Sequence, residues 1–178
     1  MKEGKLVKMT IACLKKTVSK YGTFPMLIQG GDVLEDPYFY FNDPATDKQI
    51  DDLEKALNVK LPKDYKVFLG LHNGIEFIDG IEVLSIKDVL TYNEIQDLPK
   101  GYILIGYHDA GHYIIDTNKY HKGLDYMYYK DGLDDMNEAE ALGSSFEIWL
   151  DRILSANGNK YWESNQCMKK YYESIVEE

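Results

Sequence analysis

The chain has 178 residues, a hydrophobic fraction of 44% and a formal net charge of −10, from 20 basic and 30 acidic residues. This length suits one folded domain whose core needs neither a disulfide nor a metal ion. The acidic excess argues against binding to nucleic acid or to an anionic membrane surface, because phosphate groups attract a basic footprint. It favours a basic partner instead, although negative charge also simply keeps a protein soluble.

The N-terminus does not resemble a signal peptide. Its longest uncharged run, residues 9–14, is too short for the apolar segment of one and has lysines on both sides. No stretch reaches the length of a membrane span. We therefore expect a cytoplasmic protein whose two cysteines, Cys13 and Cys167, are buried thiols rather than a disulfide.

The N-terminal part of the chain predicts one helix followed by less regular structure. Residues 5–20 form an amphipathic pattern that places Met9 and Cys13 on the apolar helix face. Short strands are predicted at residues 26–28 and 38–41, on either side of a Gly-Gly-Asp turn. We expect this part to pack against the main domain as an extension.

Two short helices joined by a rigid corner form the most informative pattern in the chain. Thr46 precedes Gln49 by three residues, the spacing of a capping box, so the first helix should begin there. Leu61-Pro62 ends this helical unit and starts the second helix, because proline lacks an N–H and fits a first helical turn. Asn73-Gly74 ends the second helix, where glycine can adopt the left-handed conformation.

The chain then changes to the period of β-strands. Residues 75–78 and 81–84 flank Asp79-Gly80, a two-residue turn that suits a hairpin. Three further strands, which form an antiparallel meander, are predicted at residues 102–107, 112–116 and 125–129. The remaining helices are predicted over residues 86–96 after a Ser85 cap, from Ser144 or Ser145 to Asn157-Gly158, and over residues 161–176.

Taken in order, these segments resemble the SUKH superfamily, the Smi/Knr type of small domain found in fungal cell-wall-assembly regulators and bacterial toxin-immunity proteins. The resemblance implies an α+β fold, in which an antiparallel sheet carries helices packed against it. It covers residues 44–156, which leaves residues 1–43 as an N-terminal extension and residues 157–178 as a C-terminal helix packed on the same domain. The residues that carry it are Ile50, Leu53-Glu54, Leu57, Leu61-Pro62, Asp64-Tyr65, Phe68-Leu69 and Asn73-Gly74, then Ile103–Gly106, Ala110-Gly111 and Tyr113–Asp116, and finally Ser145-Phe146 and Trp149-Leu150.

Histidines near the predicted meander are the main candidates for chemistry. His108 and His112 are four residues apart, and Asp116 or His121 could supply a third ligand, so a metal site is one hypothesis. Strand patterns flank both histidines, which favours opposite legs of a hairpin and ordinary polar roles. The sequence contains neither a nucleophile elbow nor a phosphate-binding loop. The resemblance implies no metal, and we expect no cofactor.

A tyrosine-rich, acidic stretch is the best candidate for a binding surface. Tyrosines concentrate at protein interfaces, and carboxylates beside them suit a basic partner. The simpler interpretation is a sheet edge followed by a solvated loop. The candidate residues are Tyr126, Tyr128, Tyr129, Asp131, Asp134, Asp135, Glu138 and Glu140.

The resemblance and the charge together predict a non-enzymatic binding module, namely an immunity protein that neutralises a cognate toxin by occluding it. A nucleic-acid-cleaving toxin would suit the acidic charge, because the substrate groove of such a toxin must be basic. Two alternatives stay open: a regulatory scaffold like the fungal family members, and a metal-dependent hydrolase that uses the histidine region. The identity of the partner and the oligomeric state also stay open.

Overall fold

The computed structural model describes residues 2–21, 26–27, 33–34, 39–77, 80–96 and 98–163. Within them, helices pack against an antiparallel sheet, so the α+β prediction is confirmed. The helices are α1 (Lys5–Tyr21), α2 (Asp47–Leu57), α3 (Lys63–Leu69), α4 (Ile86–Ile95), α5 (Thr117–His121) and α6 (Phe146–Ser155). The strands are β1 (Met26–Leu27), β2 (Val33–Leu34), β3 (Phe39–Phe41), β4 (Ile75–Phe77), β5 (Ile81–Val83), β6 (Tyr102–His108), β7 (Gly111–Asp116), β8 (Met127–Lys130) and β9 (Glu140–Ala141).

The main sheet is a seven-stranded meander in the order β3-β4-β5-β6-β7-β8-β9. Every strand pairs antiparallel with its neighbour, and β1 and β2 form a separate two-stranded sheet. The register of β6 against β7 shifts between Leu104 and Gly106. A Cβ atom at Gly106 would lie 2.3 Å from the Glu82 carbonyl oxygen, so β5 and β6 approach too closely there for a side chain.

The predicted capping box starts α2. The Thr46 hydroxyl accepts a hydrogen bond from the Gln49 N–H, and the Gln49 side-chain oxygen accepts one from the Thr46 N–H at 2.8 Å. These reciprocal bonds satisfy donors that the first helical turn would otherwise leave unpaired. Asn58 closes the other end of α2 in the left-handed conformation, with φ 52°.

Glu54 holds the corner between α2 and α3. Its side chain is buried, and its carboxylate accepts from the Leu61 N–H at 2.9 Å and pairs with Lys60 at 2.8 Å and Lys66 at 3.2 Å. Burial alone would raise the pKa of Glu54, but the hydrogen bonds from Lys60, Leu61 and Lys66 hold that pKa below its ordinary value. The rigid corner expected from Leu61-Pro62 therefore also depends on a carboxylate in the preceding helix.

Asp64 joins α3, α6 and Tyr126, the residue before β8, inside the core. It is 0% exposed, and its two carboxylate oxygens accept from the Tyr126 hydroxyl at 2.5 and 2.6 Å. The same carboxylate accepts from the backbone N–H groups of Tyr65 and Glu147, each at 2.9 Å. Burial raises the pKa of Asp64, while these hydrogen bonds oppose the rise.

Helix α1 packs against α3 and α6, so the N-terminal extension contacts the helices of the main domain. The Glu147 carboxylate of α6 accepts from the Gly4 and Leu6 N–H groups at 3.0 Å each, which ties down the beginning of α1. One turn later, the Thr10 hydroxyl donates to Asp151 at 2.8 Å.

The predicted apolar face of α1 is wrong. Met9 is 54% exposed and Cys13 is exposed, whereas Val7, Ile11 and Leu14 are buried. The buried stripe is built from branched aliphatic side chains at intervals of four and three residues. The packing of α1 against α3 and α6 buries this stripe and leaves Met9 and Cys13 outside.

Other differences concern the edges of the predicted elements. The strand predicted at residues 38–41 is β3, which extends the main sheet by pairing with β4. Helix α5 was not predicted, and its Asp116 cap ends β7. The Gly-Gly-Asp turn, Asp79, Cys167 and the helix predicted over residues 161–176, except for its first three residues, lie outside the described residues.

Candidate functional site

The register of the β6–β7 hairpin separates the two histidines of the metal hypothesis. His112 lies opposite Tyr107 and His108 lies opposite Gly111, which are adjacent positions of the ladder. Because successive residues of a strand face opposite sides of the sheet, the imidazoles of His108 and His112 lie on opposite faces. The two histidines do occupy opposite legs of a hairpin, as predicted, but they cannot share one metal ion there.

The proposed third ligands are not available to either histidine. The Asp116 carboxylate caps α5 by accepting from the N–H groups of Asn118 and Lys119 at 2.9 and 3.1 Å. His121 lies exposed at the end of that helix. Across the described part of the chain, no three His, Cys, Asp or Glu side chains converge as a metal site.

Three buried histidines instead have structural surroundings. His72 Nδ1 lies 2.8 Å from the Asn42 carbonyl oxygen, and His108 Nδ1 lies 2.8 Å from the Tyr113 hydroxyl. The third, His112, packs edge-on against the Tyr107 ring, with 5.1 Å between centroids. Burial lowers the pKa of all three imidazoles below the ordinary 6.5, so the folded protein favours their neutral forms.

The predicted tyrosines divide between the core and the surface. Tyr126 is 4% exposed with its hydroxyl bound to Asp64, and Tyr129 is 8% exposed with its hydroxyl near the His108 carbonyl oxygen. Tyr128 is half-buried, with the Lys119 ammonium 4.7 Å from its ring centroid. Tyr126 and Tyr129 therefore offer almost no area to a partner, which narrows the candidate surface to Tyr128 and the acidic residues.

The acidic loop, residues 131–140, runs from the end of β8 through the first residue of β9 and contains two successive turns. In the first turn, the Asp134 N–H donates to the Asp131 carbonyl at 3.1 Å, and the Leu133 N–H donates to the Asp131 carboxylate at 3.3 Å. In the second turn, the Glu138 N–H donates to the Asp135 carbonyl at 3.0 Å, and the Glu138 carboxylate accepts from the Asp135 N–H at 3.0 Å. One carboxylate in each turn thus fixes the local backbone.

Lys130 is a buried cation beneath the first turn. The residue is 5% exposed, and its ammonium donates to the carbonyl oxygens of Asp134 at 2.6 Å, Asp131 at 2.9 Å and Gly132 at 3.5 Å. An ammonium has three donors and no acceptor, so converging carbonyls suit it well. The arrangement satisfies the buried charge and holds the turn in one conformation.

Gly132 lets the loop lie directly on the turn between β6 and β7. A Cβ atom at this position would lie 2.4 Å from the Ala110 carbonyl oxygen, a distance that real Cβ contacts essentially never reach. Any side chain here would push the acidic loop away from the hairpin. Sequence reasoning missed both Gly132 and Lys130. The contact of Gly132 with Ala110 exists only in the fold, and the partners of Lys130 are local but its burial could not be read from the sequence.

The acidic loop presents an aliphatic side chain surrounded by carboxylates. Leu133 is 98% exposed, whereas Glu140, in the edge strand β9, is half-buried. The only signal for Leu133 in the sequence is a single leucine within the acidic Gly-Leu-Asp-Asp stretch, which does not reveal its exposure. The other exposed members of the candidate surface are Asp131, Asp134, Asp135 and Glu138.

A meandering antiparallel sheet, with a capped helix pair leading into its second strand, defines a small α+β domain of the SUKH type. The chain belongs to the SMI1 / KNR4 family (SUKH-1), whose model matches residues 44–152. This match confirms the predicted resemblance to the SUKH superfamily and covers residues 44–152 of the 44–156 expected.

Two relatives come from Bacillus subtilis (strain 168). The chain is 52% identical to "Uncharacterized protein YnaB" over 144 aligned residues, and this alignment covers 81% of this chain and 100% of the relative. It is 29% identical to "Uncharacterized protein YobM" over 176 aligned residues, and this alignment covers 88% of this chain and 91% of the relative. Neither name states an activity, so these relatives support the family alone. Among the described helices, none has the length and apolar character needed to cross a membrane.

Proposed function

We propose that the protein is a non-enzymatic immunity protein that binds a cognate bacterial toxin and neutralises it by covering its working surface. Membership of the SUKH-1 family and the two relatives from Bacillus support a bacterial member of this class. The observation that carries the proposal is the acidic loop, which holds four exposed carboxylates on an ordered backbone.

The charge of this surface favours a toxin that acts on nucleic acid. The groove of such a toxin must be basic to hold phosphate groups, and the net charge of −10 together with the acidic loop complements it. Charge complementarity speeds diffusional encounter and orients the partners, while contact in the groove would exclude the substrate. This mechanism needs no catalytic group and no cofactor from the immunity protein.

The experiment has two stages. The tagged protein is first used to capture partners from lysate of its native cells, and the C-terminal domain of any stoichiometric partner is then expressed alone in a test strain. We expect this domain to stop growth, and co-expression of the present protein to restore growth. A stable partner that never affects growth would instead favour the regulatory scaffold.

A charge-reversal variant tests whether the acidic loop is the binding surface. The loop variant replaces Asp134, Asp135 and Glu138 by Lys, and the matched control replaces Asp51, Asp52 and Glu94, all exposed residues of α2 and α4. Each variant changes the net charge from −10 to −4, because three reversals add two charges each. We expect only the loop variant to lose rescue. Equal rescue by both variants would place the partner on another surface.

A further inference from the structure

Leu133 is the most exposed large hydrophobic residue in the described part of the chain. Its exposed fraction is 98%, against 72% for Ile95 and 55% for Leu124. A single exposed leucine is common on protein surfaces and carries no inference by exposure alone. What distinguishes Leu133 is the way in which the protein holds its backbone.

Three independent contacts fix the turn that carries Leu133. The buried Lys130 ammonium donates to carbonyls on both sides of it, at 2.9 Å for Asp131 and 2.6 Å for Asp134. The Asp131 carboxylate accepts from the N–H of Leu133 itself at 3.3 Å. Gly132 lies against the hairpin backbone, with no room for a Cβ atom. Surface loops are ordinarily more mobile than the elements they connect, whereas these contacts hold the turn of Leu133 in one conformation.

We propose that Leu133 is the apolar anchor of the partner interface and inserts into a hydrophobic socket with a basic rim on a protein surface. A preorganised turn lowers the entropy that binding must remove, so a side chain presented in this way is well suited to anchor a partner. The exposed carboxylates that flank Leu133 require Lys or Arg around the socket. The inference rests on the proposed function only in taking the partner to be a protein.

Charge decides against two other occupants of this surface. A second copy of the chain related by twofold symmetry would bring its own acidic loop toward the same carboxylates, and in any other arrangement its net charge of −10 would oppose association. An anionic membrane surface would repel Asp131, Asp134 and Asp135 while Leu133 entered it. A basic protein surface is the partner whose charge agrees with the residues around Leu133.

The first test uses a photoreactive residue in the full-length protein. p-Benzoyl-L-phenylalanine is incorporated at position 133, and at position 124 as a matched exposed leucine, and both proteins are irradiated in native cells. We expect a protein adduct from position 133 alone, with the cross-linked peptide containing an apolar residue near Lys or Arg. Equal adducts from both positions, an adduct with a second copy of the chain or with lipid, or no adduct at position 133 would each overturn the inference.

The second test measures affinity for the captured partner. We expect Leu133→Ala to weaken binding by about 10- to 100-fold, the effect of losing one buried leucine side chain. Leu124→Ala should stay within about twofold of the unmodified protein. Both variants should melt as the unmodified protein does, because neither leucine is in the core. Unchanged affinity for Leu133→Ala refutes the anchor and leaves the proposed function standing, since growth rescue tests that function separately.

Discussion

Replacement of Lys130 by Met should release the acidic loop while the sheet stays folded. Methionine keeps most of the length of the side chain but removes the ammonium that donates to three carbonyl oxygens at 2.6, 2.9 and 3.5 Å. Because each hydrogen bond to a charged group contributes about 1.5–3 kcal/mol, the two short bonds set the magnitude and the long one adds little. Gross stabilisation of the turn is therefore about 3–6 kcal/mol.

Two effects reduce this sum in the free energy of unfolding. Burying an ammonium costs several kcal/mol, and the variant no longer has that cost. The freed carbonyls belong to a surface loop, where water can replace part of what they lose. We expect the variant to lose about 1–2 kcal/mol of stability and the loop amides to exchange about tenfold faster or more.

Hydrogen exchange and urea denaturation together measure both quantities. The informative amides are those of Asp134 and Glu138, whose N–H groups donate within the two turns. Lys122→Met is the matched control, because it removes the same charge from an exposed position at the end of α5. If the amides of the Lys130→Met loop exchanged as slowly as those of the control, the idea that Lys130 orders the loop would be refuted.

Two further predictions concern stability. Tyr126→Phe should lower the free energy of unfolding, measured in urea, by about 2–3 kcal/mol, because buried Asp64 loses its hydroxyl donor. Tyr40→Phe, at an exposed tyrosine, is the control, and an equal loss of stability in both variants would contradict this role of Tyr126. Acidification below about pH 6.5 should destabilise the protein, because there the unfolded chain binds more protons than the folded chain, in which burial lowers the pKa of three histidines. The raised pKa of Asp64 changes the stability in the opposite sense, so the overall stability does not isolate the histidines. NMR should therefore follow the titration of each imidazole separately, and an imidazole pKa at or above 6.5 would contradict the prediction.

Elements defined by local interactions could be predicted from the sequence. The Thr46 capping box, the Ser85 cap and the β6–β7 hairpin each depend on residues within a few positions of one another, and each is present in the structure. The face of α1 could not be predicted in the same way. Met9 and Val7 are both apolar, and the packing of α1 against α3 and α6 decides which of them is buried.

The candidate surface also depends on contacts between distant residues, which the local sequence does not predict. Tyr126 and Tyr128 look equivalent in a tyrosine-rich strand, but the hydroxyl of Tyr126 bonds to Asp64, 62 positions away in the chain. Only the fold reveals that contact, and it moves Tyr126 from the expected interface to the core. The sequence alone predicts the acidic character of the loop, whereas the exposure of Leu133 becomes known only from the structure.

The burial of Lys130 lets its positive charge order the turn without neutralising the exposed carboxylates nearby. An exposed lysine beside Asp131 and Asp134 would pair with their carboxylates and weaken the attraction of the loop for a basic partner. Lys130 is instead 5% exposed, and its ammonium bonds to backbone carbonyls of those residues. The cation therefore orders the turn from the inside, while the carboxylates stay exposed to the solvent. The order of the first turn and recognition by the Asp134 and Asp135 carboxylates therefore depend on different atoms. Lys130→Met should disturb the order of that turn, and reversal of those two carboxylates should disturb recognition.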